Sequence, residues 1–182
     1  MMSGKRVAVF CAASEEIAPL YGEAAVEVGM LLGRIGAELV YGGARFGLME
    51  ATARGAKESG AHVVGVVPMI LEERGRVSSL IDEKVNCRNL SERKDIMLER
   101  SDILVALPGG IGTLDEIFHV MAAATIGYHD KRVVLYNVNG YWDPLVAMLR
   151  SSKESGFVRG DMDRYMAVAD SIDELEKNIL EA

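Results

Sequence analysis

Ile103-Leu104-Val105-Ala106-Leu107-Pro108-Gly109-Gly110-Ile111-Gly112-Thr113-Leu114-Asp115-Glu116 runs from an unbroken apolar stretch, through one proline and three glycines, into a segment of helical period. A strand that is apolar at every position has both faces covered, and a glycine-rich turn from it into a helix marks a parallel strand–helix unit. The same alternation recurs outward along the chain. Strands are expected at Arg6–Cys11, Glu38–Tyr41, His62–Val67, Lys84–Asn86, Ile103–Leu107, Arg132–Asn137 and Met166–Val168. Helices are expected at Tyr21–Ile35, Leu48–Ser59, Ser91–Arg100, Thr113–Ile126, Pro144–Ser155 and Ile172–Leu180; the first places Ala24, Val28, Leu31, Leu32 and Ile35 on one face. This predicts an α/β fold, a doubly wound, mostly parallel sheet with helices on both faces. No linker, composition shift, repeat or low-complexity tract divides the chain, so residues 1–182 read as one domain.

Composition narrows the function classes. The chain carries 20 Lys plus Arg against 27 Asp plus Glu, a formal net charge of −7, and has no block of basic residues. Nucleic-acid binding through phosphate neutralisation is therefore not expected. The mean hydropathy is +0.13, and no window approaches the ~18 unbroken apolar residues of a membrane span. The opening Met1–Phe10 stretch has an apolar run too brief for a secretion signal. Cys11 and Cys87 are the only cysteines; they make no disulfide framework, and a reducing cytoplasm is the expected compartment. His62, His119 and His129 lack metal-ligand spacing. His119 follows Glu116 and Asp115 by three and four residues and is expected to ion-pair on that helix. Cys11 reads as a small core residue.

In doubly wound sheets ligands bind beyond the carboxyl ends of the strands. Glycines cluster at two of these mouths, Gly42–Gly43 with Gly47 and Gly109–Gly110 with Gly112. In the second cluster, left-handed glycine dihedrals and a helix start would converge amide groups on an anion. The spacing matches neither a nucleoside-triphosphate loop nor a dinucleotide fingerprint, because Asp115 occupies the third glycine position. A single phosphate fits better. The competing reading is a capping box, Thr113-x-x-Glu116, in which both side chains serve only the helix start. Arg93, in Ser91-Glu92-Arg93-Lys94-Asp95-Ile96-Met97, shares the inward face of Ile96 and Met97 and there needs an anion such as Glu116 or a ligand phosphate; snorkelling to water is the alternative.

The paired motifs PGGIGTLDE and SERKDIM, with YGGARFGLM upstream and NVNGYWDPL downstream, resemble the LOG (lonely guy) family of cytokinin riboside 5′-monophosphate phosphoribohydrolases, many of which have been labelled lysine decarboxylases. The resemblance runs from about Val7 to about Phe157 and implies a Rossmann-like homodimer without metal or other cofactor. The implied reaction hydrolyses the N-glycosidic bond of an adenine-type nucleoside 5′-monophosphate, such as AMP or a cytokinin riboside 5′-monophosphate, to free base and ribose 5-phosphate. By position, Glu116 is then the catalytic carboxylate, expected to be ionised, and Arg93 its partner. Gly109, Gly110, Ile111, Gly112 and Thr113 form the phosphate cradle, and Lys94, Ser14, Gly42 and Gly43 complete the substrate-binding set.

Asp115 lies roughly 100° from Glu116 around the helix and is not expected to pair with it as acid and base. Homodimerisation is what the resemblance implies; the apolar Phe118–Ile126 segment, with Val120, Met121 and Ala122–Ala124, fits a self-contacting helix and equally an ordinary core helix.

Departures from the family pattern fall around the ligand. C-G-S-S becomes Cys11-Ala12-Ala13-Ser14, G-G-G becomes Gly42-Gly43-Ala44, and L-M-G becomes Leu48-Met49-Glu50. T-W-x-Q becomes Ala122-Ala123-Ala124-Thr125, and a glutamate after the third strand aligns with Gly75. The alternative function is that of a carrier holding a phosphorylated ligand without cleaving it, as related molybdenum-cofactor carriers do. Lysine decarboxylation is rejected, since it needs a Schiff-base lysine with a pyridinium partner and no lysine sits in such a setting.

Overall fold

The computed structural model describes residues 4–182; Met1–Ser3, part of the opening stretch read above, lie outside the described residues. Seven strands form one parallel sheet: β1 (Arg6–Phe10), β2 (Glu38–Tyr41), β3 (Val63–Pro68), β4 (Glu83–Cys87), β5 (Ile103–Ala106), β6 (Val133–Tyr136) and β7 (Met166–Ala169). Their order is β4-β3-β2-β1-β5-β6-β7. The order reverses between β1 and β5, which pair from Val7↔Ile103 to Phe10↔Ala106. A ligand crevice is expected beyond the carboxyl ends of those two strands.

The helices are α1 (Pro19–Arg34), α2 (Gly47–Glu58), α3 (Met69–Glu73), α4 (Leu90–Arg100), α5 (Ile111–Thr125), α6 (Asp143–Glu154) and α7 (Ile172–Leu180). Side-chain alternation on β1 divides the core in two. Val7 and Val9 pack under α1, α2 and α7, while Ala8 and Phe10 pack under α4, α5 and α6. Val7, Ala8 and Val9 are wholly buried, the expected state of a central strand covered on both faces.

Every predicted strand and helix is present, with ends shifted by one or two residues. Three differences have physical causes. Helix α3 was not predicted; it has five residues and none is buried, so no apolar periodicity announces it. Strand β4 is not covered on both faces: its burial alternates because it is the sheet edge. Helix α5 begins at Ile111 rather than Thr113, with Gly110 as its N-cap.

Helices α1 and α2 meet backbone to backbone. A Cβ on Gly29 would lie 2.1 Å from the Thr52 carbonyl oxygen, and one on Gly55 would lie 2.1 Å from the Val26 carbonyl oxygen. Only glycine fits at these two crossings. The contact fixes the loops that lead into the helices, and Gly47, at the start of α2, abuts the backbone of Ala12–Ser14 after β1.

Candidate active site

The early start of α5 decides between the two readings of its first turn. Gly110 has no side chain to cap with, Thr113 is the third helical residue, and no side chain caps the helix start. The capping box is therefore not formed. Thr113 and Glu116 are both buried instead, at 3% and 6% exposure. The first turn carries no acidic residue, so the amides of Ile111, Gly112 and Thr113 keep the orphan donors and partial positive charge of a helix start.

None of the three glycines here has a positive φ, which corrects the expectation of left-handed dihedrals. Gly109 is needed for space, since a Cβ there would lie 2.1 Å from Thr113 Oγ1. Gly110 and Gly112 face open space.

The loop after β6 holds this turn in place. Asn137 accepts from the Trp142 amide at 2.7 Å and donates to Asp143 at 2.9 Å and Asp170 at 2.8 Å. The indole Nε1–H of Trp142 donates to the Ala106 carbonyl at 3.2 Å. So anchored, the Tyr141 hydroxyl donates to the Gly109 carbonyl at 2.8 Å, and the Tyr141 ring stands edge-on to Tyr21, with centroids 5.7 Å apart.

A crevice of about 310 Å³ lies at the switch point, lined by Ala12, Ser14, Tyr21, Pro108, Gly109 and Tyr141 among others. Its two tyrosines were not singled out from the sequence. The available signal was the position of NVNGYWD at a strand mouth.

Arg93 does not snorkel. It is 8% exposed and shares the inward face of α4 with the fully buried Met97. Its Nη1 lies 3.9 Å from Glu116 Oε1, an ion pair across α4 and α5 too long for a hydrogen bond. Its Nη2 lies 4.0 Å from the sulfur of Met49, and its buried Nε has no partner. Gly42 makes room for this guanidinium, for a Cβ there would lie 1.4 Å from Nη2. Gly43, at φ 75°, packs against Val67. Both glycines thus have a packing reason.

Burial pushes the Glu116 carboxyl up to about 7; Arg93 opposes the rise, Asp115 adds to it and Lys94 opposes it. The expectation of a fully ionised acid is corrected accordingly: burial outweighs the helix start. The buried Cys11 thiol is raised by desolvation and by the Glu116 charge, with Arg93 opposing, so it is an inert core residue beside the pair.

Two ion pairs differ from expectation. Lys94 Nζ donates to both oxygens of Asp115 at 2.8 Å, a carboxylate partner on the neighbouring helix. His119 Nε2 lies 3.1 Å from Asp95 Oδ1 on α4, so its partner is on the neighbouring helix rather than on its own.

Lys94, the lysine of the SERKDIM motif, is thus engaged by Asp115. Among the described residues no cluster of His, Cys, Asp and Glu has metal-binding geometry, and no helix is long and apolar enough to cross a membrane.

Comparison with known proteins gives this geometry a family. Residues 49–179 match the family model described as "possible lysine decarboxylase". The cytokinin riboside 5′-monophosphate phosphoribohydrolase LOG3 of Arabidopsis thaliana is 35% identical over 177 residues, 97% of this chain and 82% of the relative. LOG1 of the same plant is 37% identical over 96% of this chain and 82% of its own length. The chain belongs to the LOG family.

The LOG-family fold is shared with carriers. The molybdenum cofactor carrier protein of Chlamydomonas reinhardtii superposes with a TM-score of 0.73 at 25% identity, covering 98% of this chain and 99% of the carrier. The molybdenum cofactor binding protein of Rippkaea orientalis has a TM-score of 0.72 at 22% identity over the whole chain and 98% of that protein, a likeness of fold. In this LOG-family chain the buried Arg93–Glu116 pair lies beside an uncapped α5.

Proposed function

We propose that this protein hydrolyses the N-glycosidic bond of an adenine-type nucleoside 5′-monophosphate, AMP or a cytokinin riboside 5′-monophosphate, releasing free base and ribose 5-phosphate. The observation that carries the reading is the enclosed Arg93–Glu116 pair, loosely held at 3.9 Å and opening beside a helix start that no protein side chain caps. The names of the plant relatives supply the bond to be broken.

In the proposed mechanism the 5′-phosphate sits on the amides of the Gly109–Thr113 turn, with the Ser14 hydroxyl beside it. That anchor sets the ribose against Glu116. Cleavage of the C–N bond builds positive charge on the sugar, and an ionised carboxylate in a site of low dielectric stabilises it and orients the attacking water. Arg93 keeps a useful fraction of Glu116 ionised near neutrality despite burial, and its free Nε–H remains available to the ligand. Lys94 acts at one remove by holding Asp115 away from the site.

The active unit is proposed to be a homodimer in the cytoplasm. Ile111 and Phe118 on α5 and Ile126 just after it are exposed, and a groove of about 710 Å³ beside α4 and α5 has Leu98, Ala122, Ala123, Ile126 and Tyr128 in its lining together with Asp95, Glu99, His119, His129 and Lys131. A second copy would cover the exposed Ile111, Phe118 and Ile126 and meet the groove's mixed apolar and charged lining. The two free buried cysteines fit a reducing compartment.

Incubation of purified protein with AMP and with isopentenyladenosine monophosphate, followed by chromatography of free base and ribose 5-phosphate, tests the reading. Release by wild type, and its loss in Glu116→Gln and Arg93→Ala, is the expected outcome. The carrier-like fold sustains a second reading, ligand storage, which tight nucleotide binding without turnover would select.

A further inference from the structure

The chain after β6 bends sharply to deliver one hydroxyl. Asn139, at φ 52°, is the single non-glycine residue with a positive φ among the described residues, and Gly140 follows at φ 70°. Few residue types tolerate that conformation, and backbone held in it concentrates where a fold must aim a group. Gly140 has no room for a side chain, since a Cβ there would lie 2.7 Å from an Asp143 carboxylate oxygen. Immediately beyond the bend, the Tyr141 hydroxyl donates to the Gly109 carbonyl at 2.8 Å. The Tyr141 ring makes edge contacts with Tyr21 and Trp142, at centroid distances of 5.7 and 4.9 Å. Trp142 is itself buried and bonded to Ala106 at the end of β5, so the hydroxyl is delivered from a fixed base.

The accepting carbonyl belongs to a peptide that sterics leave free to turn over. A peptide unit is planar, and no described bond is cis, so the Gly109 C=O and the Gly110 N–H point in opposite directions and rotate together. Gly110 has φ −91° and open space at its Cβ position. Reversal of the peptide would carry that φ to about +90°, which glycine alone adopts without penalty. The Gly110 N–H has no backbone acceptor among the described residues, and the Tyr141 hydroxyl is the hydrogen bond that holds the unit. For a ligand the two orientations are opposite in sign. One presents an N–H at the start of α5; the other presents a carbonyl oxygen, which repels an anion.

We propose that Tyr141 is a positioning residue for phosphate recognition: its hydroxyl holds the Gly109–Gly110 peptide in the orientation that offers N–H rather than C=O to the 5′-phosphate of the substrate. This rests on the phosphate cradle proposed above and adds a control exerted on it from a second loop, at the mouth of β6. The phenol takes the carbonyl end of the peptide and leaves the amide end to the ligand. Tyr141, Gly109, Gly110 and Ser14 all line the switch-point crevice of about 310 Å³, so the two loops meet where the phosphate is proposed to lie.

The test replaces Tyr141 by phenylalanine, which keeps the ring contacts and removes the hydroxyl, and by leucine, which removes both. Calorimetry in a Glu116→Gln background measures AMP and ribose 5-phosphate, which carry the phosphate, and adenosine, which does not. A hydrogen bond from an amide to a charged acceptor implies that Tyr141→Phe weakens AMP and ribose 5-phosphate by about tenfold. Adenosine should bind as it does with Tyr141 in place, and Tyr141→Leu should lose the same factor for the phosphate ligands. With Glu116 present, the loss should appear in KM for AMP more than in kcat.

A merely structural Tyr141 would weaken all three ligands together, and a role for its ring alone would spare Tyr141→Phe and show only in Tyr141→Leu. Either result, or phosphate ligands bound equally well by all three proteins, overturns the proposal while leaving the hydrolase reading intact. Phosphate-specific weakening in Tyr141→Phe, in a protein whose wild type releases no base, supports the proposal and overturns the hydrolase reading instead. Failure of AMP and ribose 5-phosphate to bind with Tyr141 in place overturns both.

Discussion

Replacing Arg93 by alanine is expected to move the pH dependence of the reaction, not only its height. Burial holds Glu116 near 7 while Arg93 pulls it down. Two unit charges 3.9 Å apart interact by about 4 kcal/mol at an effective dielectric of 20. At 1.36 kcal/mol per pH unit that is an upper limit of about three units, and water entering the space left by the guanidinium reduces it. Without Arg93 the Glu116 carboxyl is therefore expected to titrate about one to three units higher.

The sign follows from the ionised form being the active one. The kcat/KM of wild type should rise with pH and level off above about 7, whereas the variant should still be rising there and level off only in the alkaline range. At pH 7 the ionised fraction falls from one half to about a tenth or less, so the rate falls at least about fivefold from this cause alone. The assay is release of free base from AMP between pH 5.5 and 10, with Arg93→Lys as a variant that keeps the charge and should keep the acid limb near its place. A profile that drops in height with its acid limb unmoved would refute the coupling of Arg93 to Glu116.

Glu116→Gln should abolish turnover and stabilise the fold at alkaline pH. The raised pKa means that the buried acid is protonated in the fold between about 4.5 and about 7, so stability declines as pH rises through that window. Removing the charge should recover up to about 3 kcal/mol above pH 8 and almost nothing below pH 4.5, read by urea denaturation. Gly42→Ala places a methyl 1.4 Å from Arg93 Nη2, and expelling the guanidinium should cost about 1–3 kcal/mol and lower kcat/KM as Arg93→Ala does. Gly55→Ala, which meets the Val26 carbonyl, should lower the thermal midpoint by several degrees while the protein that remains folded keeps its KM. Ile126→Asp or Ala122→Arg should turn the proposed dimer into monomers in sedimentation velocity, and a wild type that is already monomeric would refute the proposed dimer.

Much of this is legible in the amino-acid sequence. Arg93 sits four residues before Met97, and that spacing alone put a charge on an apolar face; the structure buries it there. The sheet was legible because its central strands are apolar without interruption. What the sequence withheld depends on distances between elements. The capping box at Thr113 fails because the helix begins two residues earlier, which a glycine-rich turn does not reveal. The ionisation of Glu116 turned on burial outweighing the helix dipole. Lys94 and His119 found partners on adjacent helices, Asp115 and Asp95, and helix spacing within one element cannot predict such pairs. Tyr141 reached the site through a hydrogen bond to a residue 32 positions away.

The glycine notches at Gly29 and Gly55 stiffen the side of the crevice that carries Ser14 and Tyr21. Because main chain rests on main chain there, α1 cannot slide along α2, and the segments carrying Ser14 and Met49 keep their spacing whatever the ionic conditions. Helices α4 and α5, by contrast, are joined across their surface by Lys94–Asp115 and His119–Asp95, contacts that salt weakens. Raised ionic strength should therefore loosen that pair of helices while the Ser14 side of the crevice stays put.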